Sequence, residues 1–233
     1  MKLLAIIPAR GGSKAVPRKN IALLAGKPLL AYTVGEALKV PAITDLIVST
    51  DDQEIASVAH SLGASVPFIR PAELATDDAQ SAPVLLNALF EMESKVKVCY
   101  DAVLMLQPTT PLRRACHIQE AIDLFSKGNC DSVVSVVSVN GYHPFRMKRL
   151  IGDRLVNLID QGFEDMRPRQ VLPPVYIRNG AVYLVRRDVL VEQEQVVGSI
   201  CRGFEMSAVE SINIDDRLDF IIAELLLSEL NNR

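Results

Sequence analysis

The four cysteines of this chain, Cys99, Cys116, Cys130 and Cys201, form no CxxC pair and have no metal-ligand spacing. Three of them sit in or beside apolar segments, so free thiols of a reducing compartment are expected. No apolar run approaches the ~18 residues needed to cross a bilayer. The opening "MKLLAIIPARGG" meets a proline and an arginine after a short apolar run. No signal peptide is therefore expected, and the protein is expected to be cytoplasmic. A basic excess is also missing. A net charge of −3 and a pI near 5.7 argue against a general nucleic-acid or membrane binder. Neither GxxxxGK[ST] nor GxGxxG occurs, nor HExxH, nor a Ser-His-Asp set. His60 and His117 fall within or at the start of helical patterns and read as structural, whereas His143 lies in an irregular basic stretch. Internal repeats and low-complexity segments are absent.

What is present is an alternation. About half of the 233 residues are apolar (49%), enough for a sizeable core. "LLAIIP", "DLIVST", "SVPFI", "DAVLML" and "DSVVSVVSV" read as strands. "KPLLAYTVGEALKV", "DDQEIASVAHSLG", "DAQSAPVLLNALFEMESKV", "CHIQEAIDLFSKGN" and the closing "DDRLDFIIAELLLSELNN" read as helices. Strands apolar throughout, alternating with amphipathic helices, predict an α/β fold: a mostly parallel sheet with helices on both faces. Ligands of such sheets sit beyond the carboxyl ends of the strands, which gathers residues 8–19, 49–52 and 107–113 along one edge. The alternation fails over 140–178, a polar, basic, proline-punctuated stretch that reads as an insertion, an arm extending from a core of 1–139 and 179–233. "GAVYLVR" then resumes the core.

Three clusters on that edge carry candidate chemistry. In "IPARGGSKAVPRKN" the pair Gly11–Gly12 lets backbone amides approach a ligand, and Arg10, Lys14 and Lys19 supply positive charge around it. In "MLQPTTPLR", Pro108 and Pro111 stiffen a turn that offers the Gln107 amide and the Thr109 and Thr110 hydroxyls. In "SINIDDRLDF", Asp216 and Asp219 suit helix capping, while Asp215 is a hard oxygen ligand suited to Mg²⁺.

Together with "RPAELATDDAQS", "RNGAVY" and "INID", these stretches resemble, in matching order from residue 3 to the final helix, the acylneuraminate cytidylyltransferases. That family comprises the CMP-sialic acid synthetases and their relatives for other nonulosonic acids. The resemblance implies a nucleotidyltransferase that joins CTP to a nine-carbon 2-keto sugar acid, releases pyrophosphate and uses Mg²⁺. It implies that Arg10, Gly11, Ser13, Lys14, Lys19 and Asn20 form the triphosphate loop, and that Arg70 and Ser81 hold the cytidine. Gln107, Pro108, Thr109, Arg169 and Tyr183 would face the sugar acid, with Arg169 on its carboxylate. Asp215 would bind the metal with Asn213 beside it. The insertion would be a dimerisation arm that presents Lys148 to the other copy of a homodimer.

Some positions depart from the family pattern. Ala15 stands where glycine is common, Asn213 replaces the first acid of "IDID", and the pattern around Arg178 differs from the sialic-acid members. A synthetase for the eight-carbon acid Kdo is the alternative, and an inactive nucleotide-binding relative, supported only by Asn213, is the third reading. The implied chemistry is in-line attack of the anomeric hydroxyl on the α-phosphate. Arg10, Lys14 and the metal would offset the charge on pyrophosphate, with no side-chain base evident.

Overall fold

The computed structural model describes residues 1–160 and 162–231. In chain order the elements are β1 (Leu3–Pro8), β2 (Leu23–Leu24), β3 (Lys27–Pro28), α1 (Leu29–Ala37), β4 (Asp45–Ser49), α2 (Gln53–Ser61), α3 (Ser81–Val96) and β5 (Ala102–Met105). There follow α4 (Ala115–Ser126), β6 (Ser132–Ser138), β7 (Lys148–Ile151), β8 (Arg154–Asn157), β9 (Tyr176–Arg186), α5 (Arg187–Gln193), β10 (Cys201–Glu205) and α6 (Arg217–Asn231). Six strands form one sheet in the order β10-β6-β9-β5-β1-β4. Every neighbouring pair is parallel except those of β9, which runs antiparallel to both β5 and β6.

The reason for the double covering is visible in β1. Leu3 to Ile7 are all fully buried, and because side chains alternate across a strand they divide between two cores. Leu3, Ala5 and Ile7 pack with Leu30 and Val34 of α1, Ile55 of α2 and Ile118 of α4. Leu4 and Ile6 pack with Leu85 and Leu89 of α3 and Leu190 of α5. Each such leucine or isoleucine contributes roughly 1.5–3 kcal/mol of transfer free energy, so a strand apolar on both faces is stable only between two layers. A third cluster holds α6, through Phe220, Ala223 and Leu227, against Val16, Leu29 and Leu112.

Several expectations change. "SVPFI" forms no strand, only a single bridge between Ile47 and Ser65, because Pro67 has no N–H to continue a ladder. The core resumes at Tyr176 rather than after Arg178, since Tyr176 already pairs with Ser138. Helix α5 and edge strand β10 form where the sequence pattern predicts neither, both being short and mixed in polarity. Helix α6 runs as expected, although Asn232, the last residue assigned to it from sequence, lies outside the described residues. All four cysteines are free thiols, with Cys130 buried. Among the described residues no helix is long and apolar enough to cross a membrane.

The insertion contains the hairpin β7–β8 and two short 3-10 turns. It carries a run of exposed apolar side chains, among them Leu150, Ile151, Leu155 and Met166. His143 closes its base: Nδ1 accepts from the Phe145 amide and Nε2 lies 3.1 Å from the Pro173 carbonyl.

Candidate active site

The loop after β1 is held by the loop after β4. Asp52 caps α2 by accepting from the Glu54 and Ile55 amides at 2.9 and 3.0 Å, and pairs with Arg18. That guanidinium, with the two amides, holds the Asp52 carboxyl below the usual carboxylate range against a smaller opposing effect of burial. Gly11 packs directly on it: a Cβ at Gly11 would lie 2.6 Å from Asp52 Oδ2. The Gly11 amide donates to Asp51 Oδ1 at 3.0 Å. For Gly11 the expectation of a free amide changes, because the residue is spent on close packing and its N–H is already satisfied, whereas Gly12 has open space beside it. Asn20 Nδ2 donates to the Arg10 carbonyl at 2.9 Å and shapes the same loop from within.

Beyond the ends of β1 and β5 lies a cavity of about 300 Å³. Arg10, Ser13, Lys19 and Asn20 line it from the first loop, and Arg70 and Ser81 from the segment leading into α3. Gln107, Pro108 and Thr109 line it from the loop after β5, and Asn213 and Asp215 from the start of α6. Eleven of the residues singled out from sequence are thus brought together by four separate chain segments. Gly11 is outside this lining, and Lys14 reaches it only through Asp77. Asp77 was missed, although it sits inside the quoted "RPAELATDDAQS". Its carboxylate accepts from Arg10 Nη2 at 2.8 Å and also pairs with Lys14, which together depress its proton affinity.

Two buried arginines shape the walls. Arg70 is 5% exposed and donates to the Ser49 carbonyl at 2.6 Å and the Leu74 carbonyl at 3.3 Å. Arg113, 1% exposed, donates to the Gln107 and Ala181 carbonyls at 3.0 and 2.9 Å and to the hydroxyls of Thr110 and Thr33. Burial pushes its guanidinium down to about 9, still protonated at neutral pH. Arg113 therefore ties the loop after β5 to β9 and α1. The sequence marks 107–113 as an edge loop but gives Arg113 no role of its own, since nothing in "TPLRR" says which arginine turns inward.

Gln107 owes its position to a missing side chain. Gly180 has φ +79°, and a Cβ there would fall 2.6 Å from Gln107 Oε1 and 3.5 Å from Asn213 Oδ1. Tyr183, opposite Met105 in the sheet register, lines a second cavity of about 620 Å³. The two cavities share Asp77, Ala79, Ser81, Met105 and Gln107. Burial raises the Tyr183 hydroxyl, opposed by the nearby charge of Arg178, which lines the same cavity.

Two assignments do not come together within this chain. Arg169 borders a separate groove with His143 and Pro173. Lys148 is held inside the arm by Asn157 and Glu164. Both lie on the insertion, and Lys148 is held there by side chains of the insertion itself.

At the start of α6, Asp216 Oδ1 accepts from the Leu218 and Asp219 amides at 2.8 and 3.0 Å. Asp219 Oδ2 accepts from the Asp215 and Asp216 amides at 2.9 and 3.1 Å. Capping thus occupies Asp216 and Asp219 and leaves the Asp215 carboxylate toward the cavity, bonded to Asn213 Nδ2 at 2.7 Å. Lys19 Nζ donates to the Ile214 carbonyl at 2.7 Å, and burial lowers its proton affinity. Asn213 Oδ1 is buried without a partner. One carboxylate beside an unpartnered amide oxygen is a hard donor pair that fits Mg²⁺, which commonly takes few protein ligands and completes its shell with phosphate and water. Among the described residues no cluster of three or more His, Cys, Asp or Glu is placed to hold a metal by itself.

Residues 4–195 match the family described as cytidylyltransferase. The chain is 36% identical to the CMP-N,N'-diacetyllegionaminic acid synthase of Legionella pneumophila, over 99% of its own length and 98% of that protein. It is 34% identical to the N-acylneuraminate cytidylyltransferase of Escherichia coli, over 100% of its length and 53% of that longer protein. The fold is shared with a CMP:2-keto-3-deoxy-manno-octonic acid synthetase solved in complex with CTP, with a TM-score of 0.73 at 20% identity, covering 99% of this chain and all of that one.

Proposed function

The chain belongs to the cytidylyltransferase family, and from that premise we propose that it transfers CMP from CTP to a nonulosonic acid, a nine-carbon 2-keto sugar acid, with release of pyrophosphate. The observation that carries this reading is the pair of joined cavities. One is edged by Arg10, Lys19 and, through Asp77, Lys14, and the other by Tyr183 and Gln107. A polyanion and a polyol can therefore meet at Ser81, Met105 and Gln107.

The residues act mainly by placing charge. CTP replaces the Asp77 carboxylate on Arg10 and Lys14, exchanging one negative charge for a triphosphate, and the contact with Arg10, the less exposed of the two cations, is the stronger. Lys19 adds its charge from the same loop, held on the Ile214 carbonyl. Arg70 and Ser81 border the end of the cavity assigned to cytidine. Gln107 orients the acceptor hydroxyl for in-line attack on the α-phosphate. Asp215 and Asn213 would hold Mg²⁺, which offsets phosphate charge and lowers the pKa of a bound hydroxyl.

The insertion is the proposed contact between two copies of the chain, with the exposed Leu150, Ile151, Leu155 and Met166 as its apolar face. In such a dimer the arm of one copy would carry Lys148 toward the site of the other.

The test is pyrophosphate release with CTP and a panel of N-acetylneuraminic, legionaminic and pseudaminic acids and Kdo. Turnover with one of the nine-carbon acids is expected. Turnover with Kdo alone would move the function to the eight-carbon acid for which the solved neighbour of the same fold is named, and no turnover would leave an inactive nucleotide binder.

A further inference from the structure

The acceptor proposed above is an anion as well as a polyol, and its carboxylate sits on the anomeric carbon next to the attacking hydroxyl. It must therefore lie close to the α-phosphate, where two negative groups repel unless a cation stands beside them. Arg10 and Lys14 are already paired with Asp77 and are assigned to the triphosphate. In the sugar-side cavity the charged lining residues are Asp77, Asp78, Glu194 and Arg178. Among the described residues Arg178 is the sole cation in that lining.

Three observations make Arg178 more than a surface charge. It projects from β9, where Arg178 pairs with Val136 beyond the register point at which Tyr183 faces Met105. The end of the sheet thus fixes its root instead of a mobile loop. Its charge reaches the Tyr183 hydroxyl, which lines the same cavity. No ion pair or side-chain hydrogen bond engages the guanidinium among the described residues, whereas Arg10, Arg18, Arg114, Arg167, Arg186 and Arg187 all have carboxylate partners. A guanidinium left open in a wall otherwise acidic is suited to a carboxylate, which it can meet through two parallel N–H donors. Asp78 and Glu194 repel that carboxylate elsewhere in the cavity and can accept from acceptor hydroxyl or amide N–H groups. The anion is thereby steered to one end.

We infer that Arg178, rather than Arg169, receives the carboxylate of the acceptor sugar acid. The inference rests on the proposed reaction. It departs from the role that family resemblance gives to Arg169, which lies on the arm beside a separate groove of its own chain and would meet an acceptor only in the site of a second copy.

The experiment compares wild type, Arg178→Ala, Arg178→Lys and Arg169→Ala, each assayed for pyrophosphate release with the nonulosonic acid that wild type turns over and with its methyl ester. Wild type should prefer the acid. Arg178→Ala should raise KM for the acid about ten- to hundredfold, the scale of one lost charge-assisted hydrogen bond, and leave KM for CTP nearly unchanged. It should also use acid and ester about equally, while Arg178→Lys recovers part of the preference. A melting temperature near that of wild type excludes a folding defect as the cause. Loss of the acid-over-ester preference in Arg169→Ala, with its retention in Arg178→Ala, would overturn the assignment. Failure of wild type to turn over any nonulosonic acid would sink the proposed function and this inference together, and is distinguishable from the former result.

Discussion

At the scale of single residues, the site depends on atoms that are missing as much as on those present. Gly180 is the sharpest case. Its left-handed φ of +79° costs a residue with a Cβ about 1–2 kcal/mol, and the new methyl would strike Gln107 Oε1. Gly180→Ala should therefore lower the unfolding midpoint by a few degrees and lower kcat/KM by more than that instability explains. Thermal unfolding and pyrophosphate release on one preparation would measure both, and wild-type kcat/KM in the variant would show that the Gln107 position is immaterial. Asp215 is the counterpart, a residue that matters for what it presents. Capping is done by Asp216 and Asp219, so Asp215→Ala should leave α6 intact. It should reduce kcat at saturating CTP about 100- to 1000-fold, the size of one lost transition-state contact. Little change in kcat over a Mg²⁺ titration would end its assignment as metal ligand.

At the scale of elements, the loops after β1 and β4 behave as one unit, because Asp52 serves the N-terminus of α2, the Arg18 side chain and the packing of Gly11 at once. Its carboxyl is held below the usual range, so its contribution to stability is complete above the ordinary carboxylate value near 4 and is lost as pH falls through the lower folded value. Asp52→Ala should cost about 1 kcal/mol near neutral pH through the lost cap. The gap from wild type should narrow as denaturant midpoints are followed from pH 5 to pH 2. A gap constant over that window would mean that the charge on Asp52 does not contribute. This coupling was only partly legible in sequence. Asp52 before "QEIASVAH" announces a cap, but that the same carboxylate packs on Gly11, 41 positions earlier, follows from β1 and β4 being parallel neighbours.

At the scale of the whole molecule, two apolar clusters flank the sheet and a third anchors α6, yet the arm carries leucines with nothing over them. Leu150 and Leu155 are opposite one another in the hairpin and each is about two-thirds exposed. A pair of this kind suits contact with another apolar surface. Replacing both with aspartate should convert the proposed dimer into a particle near 25.6 kDa by light scattering and reduce activity per chain. A wild-type protein that already runs at that mass would remove the arm from the list of interfaces.

The sequence by itself determined the layered fold, because strands apolar on every residue have no stable place except between two helical layers, and that pattern is local. It also determined most of the cavity lining, since polar residues placed directly after buried strands must emerge at one edge of a parallel sheet. Only the tertiary structure decided which side chains use that edge. Asp77 bridging Arg10 and Lys14, Arg113 turned inward while Arg114 turns out to Glu210, Arg178 inside the sugar-side cavity and Arg169 outside it all depend on contacts between segments distant in the chain. A charged residue reads the same in sequence whether it ends in a cleft or on an arm, because its direction is set by the neighbours that folding brings to it.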